Sequence, residues 1–238
     1  MYFPIIGVTI HGQNEKGAYH TSAFYVDSIR RAGGIPLLIA PGESRLDSLI
    51  DRIDAFVFTG GGDIEPGRYG GNHHVSMYGG DLVRDQSEFT LAQKIIDQQL
   101  PVLAICRGMQ VFGVLLGGRL KEDIESNPVG NIKHRLPDFK PVRHVVTLNG
   151  SSNLRSILKS DKIMGASIHH QAIEVLPVGA VPVAFSDDGI IEAFEFEKIP
   201  NLIAVQWHPE ITAESDPIQQ RLFDQLISMA ITTSEKRR

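Results

Sequence analysis

The segment that most constrains the fold of this chain is PVLAICRGMQVFGVLLGG, residues 101–118, which holds the only cysteine of the sequence. Its apolar run at residues 102–105 is too short for a helix and predicts a buried strand. Apolar residues at helical spacing follow directly, and two glycines end them. Cys106 is therefore predicted to lie in a very short turn between a strand and a helix, where Gly108 lets the backbone turn tightly.

This position favours a reactive thiol at Cys106. The N-terminus of a helix offers unpaired backbone donors and the positive end of the helix dipole, and both stabilise a thiolate. The pattern is that of a nucleophile elbow, with Ala104 in place of its usual first glycine. The alternative is that Cys106 is a small buried side chain without chemistry, as a lone cysteine often is. The strand, turn and helix around it favour the nucleophile.

Strand-like and helix-like segments alternate through the first half of the chain. Short apolar runs predict strands at residues 5–9, 35–39, 55–58 and 102–105, and helical spacing predicts helices at about 22–33, 45–53 and 87–100. Strands that alternate with helices pair in parallel, so we expect an open, mostly parallel α/β sheet with helices on both faces. Ligands bind such sheets at the carboxyl ends of the strands, where Cys106 is expected.

The second half of the chain has a different pattern. Residues 121–141 are polar and interrupted by prolines, which predicts a loop. The remaining elements are predicted as strands at 144–148, 181–185, 190–196 and 202–206 and a last helix at 217–231. The polar tail SEKRR is expected to fray. Without an internal repeat or linker, we expect one domain over residues 1–238.

Composition argues against several classes of function. A formal net charge of -5 provides no basic surface for nucleic acid or an anionic membrane. A single cysteine cannot form an internal disulfide, which is typical of a reducing compartment. The N-terminus lacks the basic region of a signal peptide, and no segment is long enough to span a bilayer. We therefore expect a cytoplasmic protein without nucleic-acid or membrane partners.

The sequence VQWHPE, residues 205–210, provides a partner for a nucleophilic thiol. It follows a predicted strand, and Pro209 favours an extended conformation at His208. Residues two apart in an extended segment point the same way, so Glu210 can hold one nitrogen of His208 and leave the other as a base. The alternative is a surface turn with both side chains solvated. The cysteine elbow in the same chain favours the catalytic interpretation.

A glycine-rich segment, TGGGD at residues 59–63, follows another predicted strand. Consecutive glycines let backbone N–H groups converge on an anion, and one of them can form an oxyanion hole together with the N–H of Arg107. A phosphate site fits less well, because the run lacks the residues of a P-loop and does not match GxGxxG. A flexible turn without function is the other alternative.

The histidines form no known metal-binding motif. His169 and His170 are adjacent in SIHHQ, residues 167–171, and so are His73 and His74. Neighbours in a strand point to opposite faces, which makes them poor joint ligands. The sequence contains no HExxH, paired CxxC or EF-hand loop, so we expect no metal. The SIHHQ histidines are expected to line or brace a pocket.

TGGGD, AICRGMQ and VQWHPE occur together, in this order, over nearly the whole chain. On these motifs the chain resembles the class I glutamine amidotransferase-like hydrolases, whose fold is flavodoxin-like. Within them it looks most like the peptidase C26 group, and there like the γ-glutamyl-γ-aminobutyrate hydrolases of putrescine breakdown. The narrower resemblance rests on GGGDIEPGRYG, on SIHHQ, and on Arg84, Asp85, Glu88 and Arg107.

This resemblance implies a catalytic triad. Cys106 would be the nucleophile, His208 the general base and then acid, and Glu210 the group that orients the imidazole. The implied reaction is hydrolysis of a γ-glutamyl amide, a small molecule, through a glutamyl thioester at the cysteine. No cofactor is needed for it.

The resemblance also implies the surroundings of the triad. Backbone N–H groups of Gly61 or Gly62 and of Arg107 would form the oxyanion hole, and the positions that bind substrate in the family correspond to Gln110, His170 and Gln171. Two positions depart from the family: Ala166 stands where Asn is frequent before SxHHQ, and Gly71 where Glu is frequent. Both departures concern the specificity for the leaving amine.

Asp85 and Glu88 allow two interpretations. Their spacing, just before the predicted helix at residues 87–100, resembles a capping box. As part of the family pattern with Arg84, they would instead contact the substrate. The two roles are not exclusive.

Two further functions stay open. One is a glutaminase subunit that passes ammonia to a separate synthase, with residues 63–84 and 121–141 covering the site or docking the partner. The other is a non-catalytic binding or redox-sensing protein that uses Cys106, although a sensor needs no HPE sequence. The sequence leaves open the leaving amine and the oligomeric state, a homodimer included.

Overall fold

The computed structural model describes residues 2–126 and 132–237. In chain order its elements are β1 (Ile5–Thr9), α1 (Ala23–Arg31), β2 (Ile35–Ile39), α2 (Leu46–Ile50), β3 (Ala55–Phe58), α3 (Leu82–Asp97), β4 (Val102–Ile105), α4 (Arg107–Leu115), β5 (Arg119–Lys121), β6 (Val142–Leu148), α5 (Asn153–Leu158), β7 (Lys162–Ser167), β8 (Ala172–Val175), β9 (Ala180–Ser186), β10 (Ile191–Phe196), β11 (Leu202–Val205) and α6 (Pro217–Arg237). Short 3-10 helices are formed by Pro66–Tyr69 and Pro209–Ile211.

Nine strands form an open sheet in the order β2-β1-β3-β4-β11-β10-β9-β6-β7. Pairing is parallel from β2 to β11, where helices connect the strands, and antiparallel from β11 to β7. Strands β5 and β8 pair with each other in a separate antiparallel ribbon. The predicted open, mostly parallel α/β sheet is confirmed, and an antiparallel extension is added at one side.

Helices cover both faces of the sheet, as predicted. Strand β3 is buried on both faces, and its alternate residues enter different cores. Val57 packs in the core under α1, α5 and α6, whereas Phe58 packs in the core under α2, α3 and α4. A continuous apolar run is therefore what this central parallel strand requires.

Several predicted bounds are wrong. Helix α3 begins at Leu82, because the Asp81 carboxylate accepts hydrogen bonds from the N–H groups of Val83 and Arg84 and caps the helix there. Helix α6 continues to Arg237, so residues 234–237 of the tail expected to fray are helical, and the last residue lies outside the described residues. Helix α2 is shorter than predicted at both ends.

Four elements were not predicted: β5, α5, β7 and β8. Strand β7 has the sequence KIMGAS, which lacks a clear alternation, and it forms by pairing with β6 at the edge of the sheet. In the predicted loop 121–141, residue 121 belongs to β5, residues 132–141 contain no helix or strand, and residues 127–131 lie outside the described residues. None of the helices in the described part of the chain combines the length and apolarity needed to cross a membrane.

Candidate active site

Cys106 lies between the end of β4 and the start of α4, as the elbow pattern predicts. Its backbone has φ 52° and ψ -107°, a strained conformation for a residue with a side chain. Gly108 is required because a Cβ there would lie 2.5 Å from the Phe58 carbonyl oxygen of the neighbouring strand. The thiol is 4% exposed and sits at the N-terminus of α4, where the first backbone N–H groups have no partner within the helix.

His208 is brought to the thiol by the pairing of β4 with β11. The two strands are parallel, and the N–H of Cys106 donates to the Val205 carbonyl at 2.8 Å. His208 Nδ1 lies 2.6 Å from Glu210 Oε1, and both residues are buried. The second ring nitrogen is therefore left without the carboxylate, and the Cys106 side chain is among the groups that act on this imidazole.

The charges around the imidazole of His208 favour its protonated form. Burial alone would lower the pKa of His208, but the Glu210 carboxylate and then the Cys106 side chain raise this pKa well above its usual value. A protonated imidazole between a carboxylate and a sulfur stabilises the thiolate. The arrangement can therefore supply a nucleophile and a proton donor together.

The backbone of the HPE sequence differs in part from the prediction. His208 itself is close to extended, with φ -106° and ψ 87°. Glu210, however, belongs to the 3-10 helix Pro209–Ile211 rather than to an extended segment. The predicted contact of the carboxylate with the ring is present, although the tight turn, and not strand alternation, creates it.

Each of the three glycines of TGGGD packs closely against a different neighbouring residue. A Cβ at Gly60 would lie 2.6 Å from His208 Cε1, one at Gly61 2.1 Å from Arg84 Nη1, and one at Gly62 2.1 Å from the Gly79 carbonyl oxygen. No larger residue fits at these positions without moving its neighbours. The loop is therefore a packed wall next to His208, and the interpretation as a flexible turn is wrong.

Tyr25 of α1 connects this glycine loop with the imidazole, and no motif in the sequence marks this residue as part of the site. Its hydroxyl accepts a hydrogen bond from the N–H of Gly60 at 3.0 Å and lies 3.5 Å from His208 Nδ1. Burial, followed by the charge of Glu210, raises the pKa of Tyr25 well above its usual value, so the hydroxyl stays neutral. Tyr25 thus holds the glycine loop and the imidazole in a fixed relation.

Arg84, Asp85 and Glu88 form a buried ion-pair network with Arg107. The Arg107 guanidinium contacts the carboxylates of Asp85 and Glu88, and Arg84 Nε donates to Glu88 Oε1 at 2.7 Å. Burial would raise the pKa of Glu88, but Arg107 and then Arg84 lower it. Arg84 also donates to the Gly60 carbonyl at 2.9 Å. The network joins α3 to the cysteine elbow and to the glycine loop.

The capping-box interpretation of Asp85 and Glu88 is therefore wrong. Asp81 caps α3, and the two carboxylates lie within the helix with the arginines as their partners. A buried carboxylate requires such a counter-charge. Sequence spacing suggested a cap because the true start of the helix lies five residues further toward the N-terminus than predicted.

The three predicted substrate-binding residues lie beneath the site and have different partners. His170 has both ring nitrogens against carboxylates, with Asp123 at 3.1 Å and Asp63 at 3.0 Å, and it lies between β7 and β8 rather than in a strand. Gln110 Nε2 donates to the Gln171 carbonyl at 3.2 Å. The Gln171 side-chain amide is buried near Tyr69 without a well-formed hydrogen bond. His170 and Gln110 are thus braces in this structure.

A cavity of about 1020 Å³ has His208, Glu210 and the glycine loop in its wall. Both segments expected to cover the site contribute to it: Tyr78 comes from residues 63–84, and Phe139 from residues 121–141. The two aromatic rings are in contact, with centroids 4.7 Å apart. Another cavity, of about 700 Å³, lies near α5, β9, β10 and α6, away from His208.

The chain matches the Peptidase C26 family over residues 4–210. It is 34% identical to Protein NtpR of Enterococcus hirae, over 86% of this chain and 87% of that protein. It is 33% identical to a Schizosaccharomyces pombe protein named "Putative glutamine amidotransferase", over 96% of this chain and 87% of that protein. Gamma-glutamyl-gamma-aminobutyrate hydrolase PuuD of Escherichia coli K12 is 27% identical, over 94% of this chain and 92% of that protein.

Solved structures share the fold. A glutamine amidotransferase from Thermotoga maritima has a TM-score of 0.64 with this chain at 16% sequence identity, over 97% of this chain and 99% of that one. The glutamine amidotransferase-like fold implied by the sequence motifs is therefore confirmed.

Proposed function

Because the chain belongs to the Peptidase C26 family, we propose that it hydrolyses a γ-glutamyl amide to glutamate and a free amine. Family membership makes it a hydrolase of the glutamine amidotransferase-like class, and the proposal adds the substrate and the residues. The observation that supports it best is the buried imidazole of His208, held by Glu210 at 2.6 Å on one nitrogen and close enough to Cys106 for this side chain to raise the pKa of the ring. This is the geometry that an acyl transfer to a thiol requires.

In the first half of the proposed reaction, the Cys106 thiolate attacks the γ-carbonyl carbon and a carbon–sulfur bond forms. The electron pair of the carbonyl moves to its oxygen, which accepts hydrogen bonds from the backbone N–H of Gly61 or Gly62 and of Arg107. The His208 imidazolium donates its proton to the departing nitrogen, and the carbon–nitrogen bond breaks. A free amine and a glutamyl thioester result.

In the second half, His208 acts as a base. The neutral imidazole accepts a proton from water, the hydroxide oxygen attacks the thioester carbon, and the carbon–sulfur bond breaks. Glutamate leaves, and the thiolate and imidazolium are restored. Glu210 keeps the ring in the orientation that both halves need, and no metal or cofactor takes part in either proposed step.

For the leaving amine we propose γ-aminobutyrate or a related amine. The support is the E. coli relative with that name at 27% identity, whereas the relatives with higher identity carry other names. Of the predicted substrate-binding residues, Gln171 has free hydrogen-bonding capacity. A cytoplasmic role in putrescine breakdown belongs to the same proposal.

The test is a substrate panel with the protein alone. Glutamate release is measured for γ-glutamyl-GABA, γ-glutamyl-putrescine and glutamine, with a Cys106→Ala variant as the blank. We expect kcat/KM for a γ-glutamyl amine to exceed that for glutamine by at least about tenfold. A preference for glutamine would favour the ammonia-delivering subunit. Absence of turnover for every amide would favour the binding or redox-sensing protein.

A further inference from the structure

A second group of titratable side chains lies apart from the proposed catalytic residues, in the antiparallel half of the sheet. It consists of His134, His144, His169 and Glu192, and each of them is buried. His134 precedes β6 in a loop, His144 lies in β6, His169 between β7 and β8, and Glu192 in β10. We call these residues the histidine cluster. The proposed hydrolysis uses none of them.

The spacing of the inward-facing atoms in the histidine cluster fits a tetrahedron. Zinc bonds of about 2.0–2.1 Å place tetrahedral ligand atoms about 3.3–3.4 Å apart. All four atoms lie within 4.8 Å of one another. The individual distances are 3.2 Å from His134 Nδ1 to His169 Nε2, and 3.5, 3.4 and 3.7 Å from Glu192 Oε1 to His134 Nδ1, His144 Nε2 and His169 Nε2.

The outward-facing ring nitrogens all meet hydrogen-bond acceptors. These acceptors are Asp188 Oδ2 at 2.9 Å for His134 Nε2, the Val145 carbonyl at 3.3 Å for His144 Nδ1, and the Gln171 carbonyl at 2.9 Å for His169 Nδ1. Each outer nitrogen can therefore carry the ring proton when a metal binds, which would leave a lone pair on each inner nitrogen. Histidines that bind metals have this arrangement, because the outer hydrogen bond fixes the tautomer and the orientation of the ring.

Two of the inner atoms, His134 Nδ1 and His169 Nε2, share a hydrogen bond of 3.2 Å, but the other inner atoms are poorly satisfied by the protein itself. Within the described residues, His144 Nε2 and both carboxylate oxygens of Glu192 are buried without a well-formed hydrogen bond. Lone pairs and a carboxylate that face one another in a buried space repel, and a cation between them would offset this. A divalent cation would be neutralised by Glu192 together with Asp188, which contacts His134.

We propose that the histidine cluster binds one zinc ion as a structural site. Three imidazoles and one carboxylate are ligands that suit zinc, and together they occupy all four tetrahedral positions. No position remains for water or substrate, so the ion would stabilise the fold and take no part in hydrolysis. The sequence contains no recognisable metal motif because the four ligands lie in four separate segments between residues 134 and 192.

The proposed zinc site would hold the cover of the cavity against the sheet. His134 lies in the same loop as Phe139, which forms part of the cavity wall. The His134 carbonyl already accepts hydrogen bonds from the N–H of His169 at 3.0 Å and from the Ser167 hydroxyl at 2.7 Å. Loss of the ion should therefore loosen this loop and raise KM more than it lowers kcat.

The first test measures metal content in protein purified without a metal-affinity tag. Elemental analysis should give about one zinc per chain. His144→Ala and Glu192→Gln should each lower this content at least about tenfold at equal protein and zinc concentrations. His73→Ala is the matched control, because it removes an exposed histidine and should keep the zinc. The proposal is overturned if the wild-type chain binds no zinc even after zinc is added, or if His144→Ala retains it.

A second measurement covers the case in which the variants do not fold. The wild-type chain is stripped with a chelator and titrated with Zn²⁺ or Co²⁺. Zinc should raise the thermal midpoint by several degrees, and Co²⁺ should give the visible absorption of a tetrahedral complex. Binding without a rise in the midpoint, or a cobalt spectrum of octahedral type, would contradict the structural site. Because neither readout involves turnover, failure of the proposed hydrolysis would leave this test intact.

Discussion

The molecule holds imidazole rings against carboxylates in several places, and two of these regions use the second ring nitrogen differently. At the rim of the parallel strands, Glu210 holds His208 at 2.6 Å, and the Cys106 side chain acts on the same ring beside a large cavity. In the antiparallel half, Asp188 holds His134 at 2.9 Å, and the other nitrogen lies 3.2 Å from His169 Nε2 among the buried atoms of the histidine cluster. The same carboxylate–imidazole pair can thus orient a base or a metal ligand.

The comparison teaches that the surroundings of the free nitrogen decide the chemistry. A thiol and an open cavity provide something to deprotonate and room for a substrate. Imidazoles that converge with a carboxylate provide a cation site, and because they would occupy all four ligand positions, they exclude substrate. Mutations that affect only one of the two regions can therefore test both the catalytic site and the zinc site in one set of proteins.

The largest effect is expected from Cys106→Ala. Removal of the nucleophile should lower kcat/KM for the best γ-glutamyl amide by at least about a thousandfold, because the thioester cannot form. The zinc content should stay as in the wild-type chain, since the thiol lies outside the histidine cluster. Steady-state kinetics and elemental analysis of the same preparation check both statements. Activity within about tenfold of wild type would contradict the role of this residue.

A paired exchange of carboxylates for amides should separate the two regions. Glu210→Gln should lower kcat at least about a hundredfold, because the imidazole loses its orienting charge, and it should keep the zinc. Asp188→Asn should weaken zinc binding by about 10- to 100-fold, because His134 loses the partner that fixes its tautomer. Kinetics and a zinc titration of both variants are compared. Loss of zinc in the Glu210 variant would show that the two regions are not independent.

A smaller effect is expected from Tyr25→Phe. The variant removes the hydroxyl that accepts from the N–H of Gly60 and contacts the imidazole, so the glycine loop and His208 are less well fixed. We expect kcat to fall about tenfold and the free energy of unfolding to fall by about 1–2 kcal/mol, because a buried N–H loses its partner. Tyr19→Phe, at an exposed tyrosine, is the control. Equal kinetics in the two variants would argue against a positioning role.

The smallest effect concerns stability and pH. The raised pKa of His208 means that the folded chain binds this proton more tightly than the unfolded chain. The resulting stabilisation is fully present below the usual pKa, about 6.5, and is lost as the pH rises through the folded-state pKa. Urea unfolding of the wild type and of His208→Gln should therefore differ most at low pH. A difference that stays constant as the pH rises would contradict this assignment.

The features of the site that the structure places where the sequence predicts them have a local origin, whereas their catalytic roles stay predictions. The elbow, the glycine loop and the HPE sequence are each set by a few consecutive residues next to a strand, and strand ends are readily located from short apolar runs. The parallel strands β1 to β4 were predicted with their observed bounds for the same reason. Helix starts were less certain, because a single capping side chain such as Asp81 decides them.

The sequence by itself determined an α/β sheet, a thiol in a strained turn and a histidine followed by a carboxylate, because these depend on neighbours within a few positions. Only the tertiary structure decided that Tyr25 holds the glycine loop, that Asp85 and Glu88 neutralise Arg107, and that the histidine cluster converges. Such contacts join residues far apart in the chain. No spacing rule covers them, because their distances depend on how whole strands and helices pack.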